Sequence, residues 1–551
     1  MRKQFLHIHP KDNLLVALTD LEKDTAIAHQ GQLFRLPSSV KAKHKFVTAP
    51  LSEGMPIFMY GSLVGKATRP IALGESITVK NIEHAAGEYS TDKKTNWQFE
   101  PPNVEAFEGK TFKGYHRTDG NVGTANYWLV IPLVFCENRN VEVLKKALLK
   151  PLGYQTPEGA LVYTEALVNL YKKQATKDEL LQANLIRSET NSGKERIFKN
   201  VEGIKFLTHD GGCGGIRQDS DTLCQLLAGY LPNPNVGGAT ILSLGCQNAQ
   251  INILKKAIAQ RDPAFSKPLA FLEQQSGGSE RDFIENAVKQ TFIGLMEADK
   301  VKRKPAPLSK LVLGLESGGS DGFSGISANP TLGHVSDMLV ALGGSTVLAE
   351  FPELNGVEQE LVHRCGTQES AEKFVRLMTA YAHRAKAVGS GFENNPSPGN
   401  IKDGLITDAM KSAGAAKKGG SSVIEAVLDY TEPVRVKGLN LLCTPGNDVE
   451  STTGLSGSGC NLICFTTGLG TPTGNPIAPT IKISSNTALS ERMADIIDFN
   501  TGQIIEGTAT IAEKGEELLE YLIAVASGER TPNAVRLMQD DFIPWKRGIS
   551  L

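Results

Sequence analysis

Hydrophobic positions change their rhythm near residue 108. Before it, LLVALTDL, DTAIAHQGQLFRL, PIFMYGSLVGKAT and ESITVKNI are short β-rich segments divided by turn residues, with little helical spacing. They predict a small β-rich domain over residues 1–90. The polar stretch AGEYSTDKKTNWQFEPPNVEAF, Ala86 to Phe107, carries two prolines and reads as a linker, set at 91–107. Beyond it, buried-strand runs alternate with helically spaced ones. WLVIPLVF precedes NVEVLKKALL, IKFLTH precedes SDTLCQLLAGYL, and ATILSLG precedes NAQINILKKAIAQ. PLAFLEQ precedes ERDFIENAVKQTFIGLMEA, and KLVLGLE is followed after a long loop by HVSDMLVAL. Strand, Gly-rich turn, helix is the rhythm of α/β domains with mostly parallel sheets. The expected division is an α/β catalytic domain over 108–390 and a C-terminal α/β part over 391–551 that completes the active site.

Ligands of such sheets bind outside the carboxyl ends of the strands. The unusual residues fall there: His209, Cys213, Cys246, Gly277, Gly278 and Ser317 to Gly325. The tract TPGNDVESTTGLSGSGCNLICFTTGLGTPTGNP is so rich in turn residues that it reads as loops wrapped over a site. A long terminal helix is expected around EKGEELLEYLIAVAS.

Composition narrows the class. With 40% hydrophobic and 21% charged residues the chain is an ordinary soluble globular protein, and a net charge of -2 supplies no basic field for nucleic acid. No stretch approaches the roughly 20 apolar residues of a membrane span, and the N-terminus does not read as a signal peptide. Eight dispersed cysteines suggest free thiols or metal ligands in a cytoplasmic protein.

HDGGCGG, at His209 to Gly215, fits neither a P-loop nor a dinucleotide fingerprint. His209 and Cys213 can reach one ion if the turn folds back, with Cys246 from the next strand end; imidazole plus thiolate suits Zn or Fe(II). The alternative is two small buried thiols. His44, beside Lys45 in VKAKHKF, is a ligand, a general base or a surface residue of a basic run. Arg117, Asp119 and Asn126 surround two glycines; the guanidinium suits a carboxylate, and an Asp-Gly turn is the other reading. The loop Glu316 to Asn329, with Ser317, Ser320 and Asp321, offers donors to a polyhydroxylated ligand or is simply solvated. Lys482 lies in an apolar segment, where burial would make it a base, unless it snorkels to the surface.

Taken together, GYHRTDGNVGTANYWLVIP, HDGGCG, LSLGCQNAQ, SGGSDGFSGISANPTLGHVSD, NPSPGN, TPGNDVESTTGL and FTTGLGTPTGNPIAPTIKI resemble the altronate/galactarate dehydratase family of sugar-acid dehydratases, from about residue 10 to about residue 510. AKHKF and MYGSLVGKAT resemble the small antifreeze-like (SAF) β domain at the N-terminus of those enzymes, and the ending GTPTGNPIAPTIKISSNT is more like the altronate branch. The resemblance implies a metal-dependent hydro-lyase, with Fe(II) expected and Mn(II) the alternative. It converts D-altronate to 2-dehydro-3-deoxy-D-gluconate in hexuronate catabolism. The C2 proton beside the carboxylate is removed, the 3-hydroxyl leaves, and a Lewis acid would stabilise the enediolate. Carried onto this chain, His209, Cys213 and Cys246 are the expected ligands. His44 is a further ligand or the base, Lys482 a second base, and Arg117, Asp119, Asn126, Ser320 and Asp321 the substrate-binding residues. The family often has Cys where this chain has Ser317, which marks Ser317 as dispensable, and the residue before its GGCG is not aspartate, unlike Asp210.

The expected partner is a small sugar acid, with neither nucleic acid nor membrane, in a homo-oligomer taken as a dimer. Three other readings stay open: a galactarate dehydratase, an iron–sulfur dehydratase if more thiolates converge on Cys213 and Cys246, and a non-catalytic sugar-acid binding protein.

Overall fold

The computed structural model describes residues 3–93, 97–154, 161–187 and 195–548. The N-terminal part is β-rich. Its fully buried strand Leu14–Ala17 pairs antiparallel with Phe5–Leu6 and Lys45–Val47. Two hairpins, Ala26–His29 with Gln32–Arg35 and Pro56–Met59 with Ser62–Ala67, complete it. The following stretch is no loose tether. The Ser90 amide donates to Gln359, and the Trp97 indole N–H donates to the Ser421 carbonyl at 2.7 Å. Residues 94–96 of the expected linker lie outside the described residues.

Two parallel sheets follow, as the α/β rhythm requires. The first sheet holds β1 (Tyr127–Pro132), β2 (Gly203–Phe206), β3 (Val236–Ser243) and β4 (Leu269–Glu273), in the order β2-β1-β3-β4. The second holds β5 (Val312–Ser317), β6 (Ser345–Leu348), β7 (Ile424–Leu428), β8 (Gly438–Leu442), β9 (Leu462–Thr467), β10 (Thr480–Ser484) and β11 (Phe499–Asn500). Its order is β7-β8-β6-β5-β9-β10-β11, and every pairing is parallel. Continuous apolar runs form these strands because helices cover both faces of a parallel sheet.

The expected boundary at 390 does not coincide with a break between sheets. Strands β5 and β6 precede it, β7 to β11 follow it, and all belong to one sheet. The helical excursion from Glu358 to Ala415, including the 20-residue helix Gln368–Ala387, is the crossover from β6 to β7. The change of sheet falls between β4 and β5.

The Gly/Ser/Thr tract is not a set of surface loops. Asp448–Ser458 is a helix whose residues 451–458 are all buried, and Leu462–Thr467 is a fully buried central strand. The helix lacks an apolar stripe because its small residues serve a close approach. A Cβ on Gly229, in the helix Arg217–Tyr230, would lie 1.9 Å from the Gly457 carbonyl oxygen. The Arg261 guanidinium also donates to that carbonyl. This crossing locks the first α/β unit onto the second.

Gly229→Ala is therefore expected to cost about 1–3 kcal/mol by overpacking. The check is the urea midpoint of unfolding; an unchanged midpoint would mean that the helices separate freely.

Candidate functional site

Strand β5 is flanked by β6 on one side and β9 on the other, so the chain leaves it in opposite directions. This is the switch point of the sheet, and the crevice outside the carboxyl ends of β5 and β9 is the natural ligand position. The loop after β5 is not solvated: Ser317, Ser320, Asp321, Ser324 and Ser327 are all buried. Asp321 organises it. One carboxylate oxygen accepts the Phe323 and Ser324 amides and the Ser324 and Ser485 hydroxyls. The other accepts Asn486 at 3.2 Å and pairs with Lys43 at 3.0 Å. Lys43 also reaches Asp403 at 2.8 Å. His44 meets the Lys402 carbonyl at 3.1 Å, and the buried Lys45 ammonium donates to the Gly404 carbonyl. Residues 43–45 thus dock the N-terminal domain on the rim of this crevice.

Beneath the loop lies a polar and charged array from separate chain segments: the buried Glu316 and Ser317 from the end of β5, Glu350 and Glu353 after β6 and Lys418, with the partly buried Lys411 from the helix Asp408–Ala415 at its side. Lys418 bonds one Glu350 carboxylate oxygen at 2.6 Å and donates to the Ser317 hydroxyl. The Ser317 amide donates to the same Glu350 oxygen at 3.1 Å. Lys411 pairs with Glu353 at 2.6 Å. Glu350 sits in the left-handed region at φ 64, a strained conformation for a non-glycine residue and one that recurs at functional sites.

The array sets carboxyls against one another. Burial, with the neighbouring Glu350 charge, pushes Glu316 well above the usual carboxylate range. Glu350 is raised by burial and by Glu353. Burial also works against ionising Glu353, but Lys411 and Lys418 outweigh it and hold its carboxyl low. Carboxyls driven apart in this way are the usual signature of acid–base work. Asp448 lies at the edge of the array, half-buried in the first turn of its helix. Burial and the charges of Glu350 and Glu353 bring it to about 7. It hangs over Gly318, where a Cβ would stand 2.1 Å from an Asp448 carboxylate oxygen and 2.6 Å from the Phe465 ring. Lys482, on the neighbouring strand β10, lies 5.1 Å from the centre of the same ring and is brought down to about 8 by burial. Its ammonium donates to the Thr473 carbonyl and is within range of the Asp448 charge.

The structure divides the residues singled out in the sequence. Ser320, Asp321 and His44 lie in the loop after β5 and on its rim, whereas Lys482 is buried within β10 against the Phe465 ring. Arg117 and Asn126 are not part of this crevice. Arg117 donates to the Pro234 carbonyl at 2.7 Å and to Asn126 at 2.9 Å, and Asn126 donates to the carbonyls of Asn200 and Ala298. They fasten the amino-terminal edge of the first sheet, opposite the strand ends. Asp119 accepts from Asn121, as an Asp-Gly turn does.

The metal corner is not formed as expected. His209 does end β2, but both ring nitrogens are engaged: Nε2 donates to the Pro132 carbonyl at 2.8 Å and Nδ1 accepts the Gly211 amide at 3.1 Å. Its imidazole braces the turn and has no lone pair left for an ion. Cys213 and Cys246 are exposed at the carboxyl edge of the first sheet. Among the described residues, no three His, Cys, Asp or Glu side chains converge to hold a single metal ion. The residues missed by sequence reasoning are Glu350, Glu353, Lys411, Lys418 and Asp448. Only Asp448 left a signal, as the helix-capping Asn-Asp pair of TPGNDVES.

The two edges are neighbours across one helix terminus. Asp448 feels Glu350 and Glu353, while Glu450, two residues on, feels Asp210 of the HDGGCGG turn. No helix among the described residues is long and apolar enough to cross a membrane.

Three family models divide the chain: an altronate/galactarate dehydratase SAF domain at 3–85, a D-galactarate dehydratase/altronate hydrolase second domain at 114–299, and a D-galactarate/altronate dehydratase C-terminal domain at 308–550. The chain is 34% identical to an altronate dehydratase of Bacillus subtilis (strain 168) and 32% identical to one of Escherichia coli (strain K12), each over 96% of both chains. It is 28% identical to the galactarate dehydratase (L-threo-forming) of Escherichia coli (strain K12), over 96% of this chain and 93% of that one.

Removing one partner of the Lys418–Glu350 pair strands a buried charge. Lys418→Met is expected to cost about 3–5 kcal/mol, read from denaturant unfolding, with much of the loss recovered in Lys418→Met/Glu350→Leu. A cost below about 1 kcal/mol, as at a surface pair, would show that the array is not closed to water.

Proposed function

This chain belongs to the D-galactarate/altronate dehydratase family, and on that premise we propose that it removes water from a sugar acid, D-altronate first, yielding 2-dehydro-3-deoxy-D-gluconate. The full-length likeness to two altronate dehydratases supports the substrate. Galactarate is the second reading, favoured by the likeness to a galactarate dehydratase over nearly the same length.

The observation that carries the chemistry is Asp448, a half-buried carboxyl near 7 at the carboxyl end of β5, with Lys482 near 8 on the neighbouring strand β10. A base working near neutral pH needs a pKa close to 7. Asp448 takes the proton from C2, and Lys482 returns one to the departing 3-hydroxyl. Lys43, one-fifth exposed at the rim, balances the substrate carboxylate, with His44 beside it. Burial and the Glu350 and Glu353 charges keep Asp448 from ionising too readily, and the Lys418–Glu350–Ser317 contacts fix the loop that carries Gly318. The enol left by loss of water becomes the 2-keto acid unaided. The divalent metal implied by the resemblance has no ready ligand set in the expected trio, because His209 is spent on backbone. Both proton transfers run through the chain's own groups.

The sign of the pH dependence follows. Asp448 is protonated below about 7, so kcat/KM rises through that pH as the base forms. Lys482 loses its proton above about 8, so the rate falls again. Asp448→Asn is expected to lower kcat by about 10²-fold or more, in keeping with general-base catalysis, and Lys482→Met to remove the alkaline limb. The test follows release of the 2-keto-3-deoxy acid from D-altronate and galactarate, on anaerobically purified protein before and after chelation. Turnover of galactarate alone would reverse the substrate order. Binding without turnover of either acid would make the chain a sugar-acid binding protein and overturn the proposal.

A further inference from the structure

The eight cysteines split into two groups. Cys224, Cys365, Cys443, Cys460 and Cys464 are buried, and burial pushes each thiol up, Cys365 to about 11 and Cys224 and Cys443 to about 12. The other three, Cys136, Cys213 and Cys246, are exposed. These three follow β1, β2 and β3, which are adjacent in the order β2-β1-β3 and run parallel. All three therefore emerge at one carboxyl edge, from strands about 4.8 Å apart.

The turns that carry them are stitched together. The Phe135 amide donates to the Gly211 carbonyl at 3.1 Å, tying the Cys136 turn to the Cys213 turn. The Asn248 and Ala249 amides donate to the Gly212 carbonyl at 3.0 and 3.1 Å, tying in the Cys246 turn. Gly212, at φ +95, is wedged between them: a Cβ there would lie 2.0 Å from the Leu133 carbonyl oxygen. The glycines of HDGGCGG thus serve to bring three thiol-bearing turns onto one edge. Gln275 donates to the Cys246 sulfur at 3.3 Å, the kind of contact that tunes a metal-bound thiolate. The adjoining cavity, about 220 Å³, is lined by Phe135, Cys213, Tyr430, Trp545 and Lys546. Lys546 brings a cation, paired with Asp210 at 3.1 Å, to the mouth of a site that would carry thiolate charge.

We infer that Cys136, Cys213 and Cys246 form a three-thiolate site for an iron–sulfur cluster, with one coordination position left for an oxygen of the sugar acid. Among the described residues no three such side chains close on a single ion, so the inferred occupant of the three turns is a polynuclear cluster rather than one metal ion. Each thiol gives up its proton on binding, so assembly releases protons and favours higher pH. The inference rests on the dehydratase reading for its substrate, and it replaces His209 with Cys136 in the ligand set.

The test reads the metal rather than the rate. Protein purified anaerobically, or reconstituted with ferrous iron and sulfide, is assayed for iron, acid-labile sulfide, visible absorbance and electron paramagnetic resonance. Roughly three to four irons per chain, with matching sulfide, are expected. Cys136→Ser, Cys213→Ser and Cys246→Ser should each lose most of that iron, whereas Cys365→Ala should retain it, with far-UV circular dichroism checking the fold of all four. Iron without sulfide, or full iron retention in Cys136→Ser, would overturn the inference. Turnover by cluster-free protein would overturn it while leaving the dehydratase reading intact. A cluster in protein that turns over neither acid would do the reverse.

Discussion

The close approach of Gly229 to the Gly457 carbonyl sets the geometry on which the rest depends. Two parallel sheets, each with its own core, meet through two crossing helices. The approach is made at backbone distance near the carboxyl end of the helix Asp448–Ser458, and the other end of that helix stands between the carboxyl edges of both sheets. Asp448 then faces the glutamates of the second sheet and Glu450 faces the HDGGCGG turn of the first.

That placement explains how the buried charges are tolerated. Several carboxyls in a closed space cannot all ionise against one another, and two lysines do not neutralise them all. The array resolves this unevenly. Glu353 keeps its charge beside Lys411 and Lys418, Glu316 is driven towards the neutral acid, and Asp448 is left between, near 7. The Glu350 backbone, held at positive φ, is the strained element that holds the arrangement together. Its amide donates to the Thr444 hydroxyl, itself bonded to Ser451, which reaches Glu316 at 2.7 Å. A change at any of these positions is felt at the others through that chain.

Much of the scaffold is legible in the sequence because long apolar runs ending in glycine have few other uses than buried parallel strands. What is illegible has a physical reason in each case. The helix Asp448–Ser458 shows no apolar stripe, since small residues serve a close packing that periodicity does not register. Glu350, Glu353, Lys411 and Lys418 come from segments with no fixed spacing, and only the β6 to β7 crossover unites them. Arg117 with its glycines looks like a carboxylate clamp, yet it joins backbone at the opposite edge of the sheet, and a sequence does not say which end of a strand a residue serves. His209 does stand at a strand end, as its place in the sequence suggests, but its ring is consumed in bracing the turn.

Ser317 brings the two edges into one argument. On the sequence resemblance alone it reads as dispensable. In the structure it is central: it accepts from Lys418 while its hydroxyl and amide both reach Glu350. A thiol is a weaker donor and acceptor than a hydroxyl, so serine here strengthens the charge array. Buried among carboxylates, a thiolate would add one more negative charge to a space already short of cations. The chain instead presents its exposed thiols at the carboxyl edge of the first sheet, where Cys213 lines an open cavity with Lys546. The buried charge array and the exposed thiols are thereby separated onto two sheets, and the helix that begins at Asp448 stands between them.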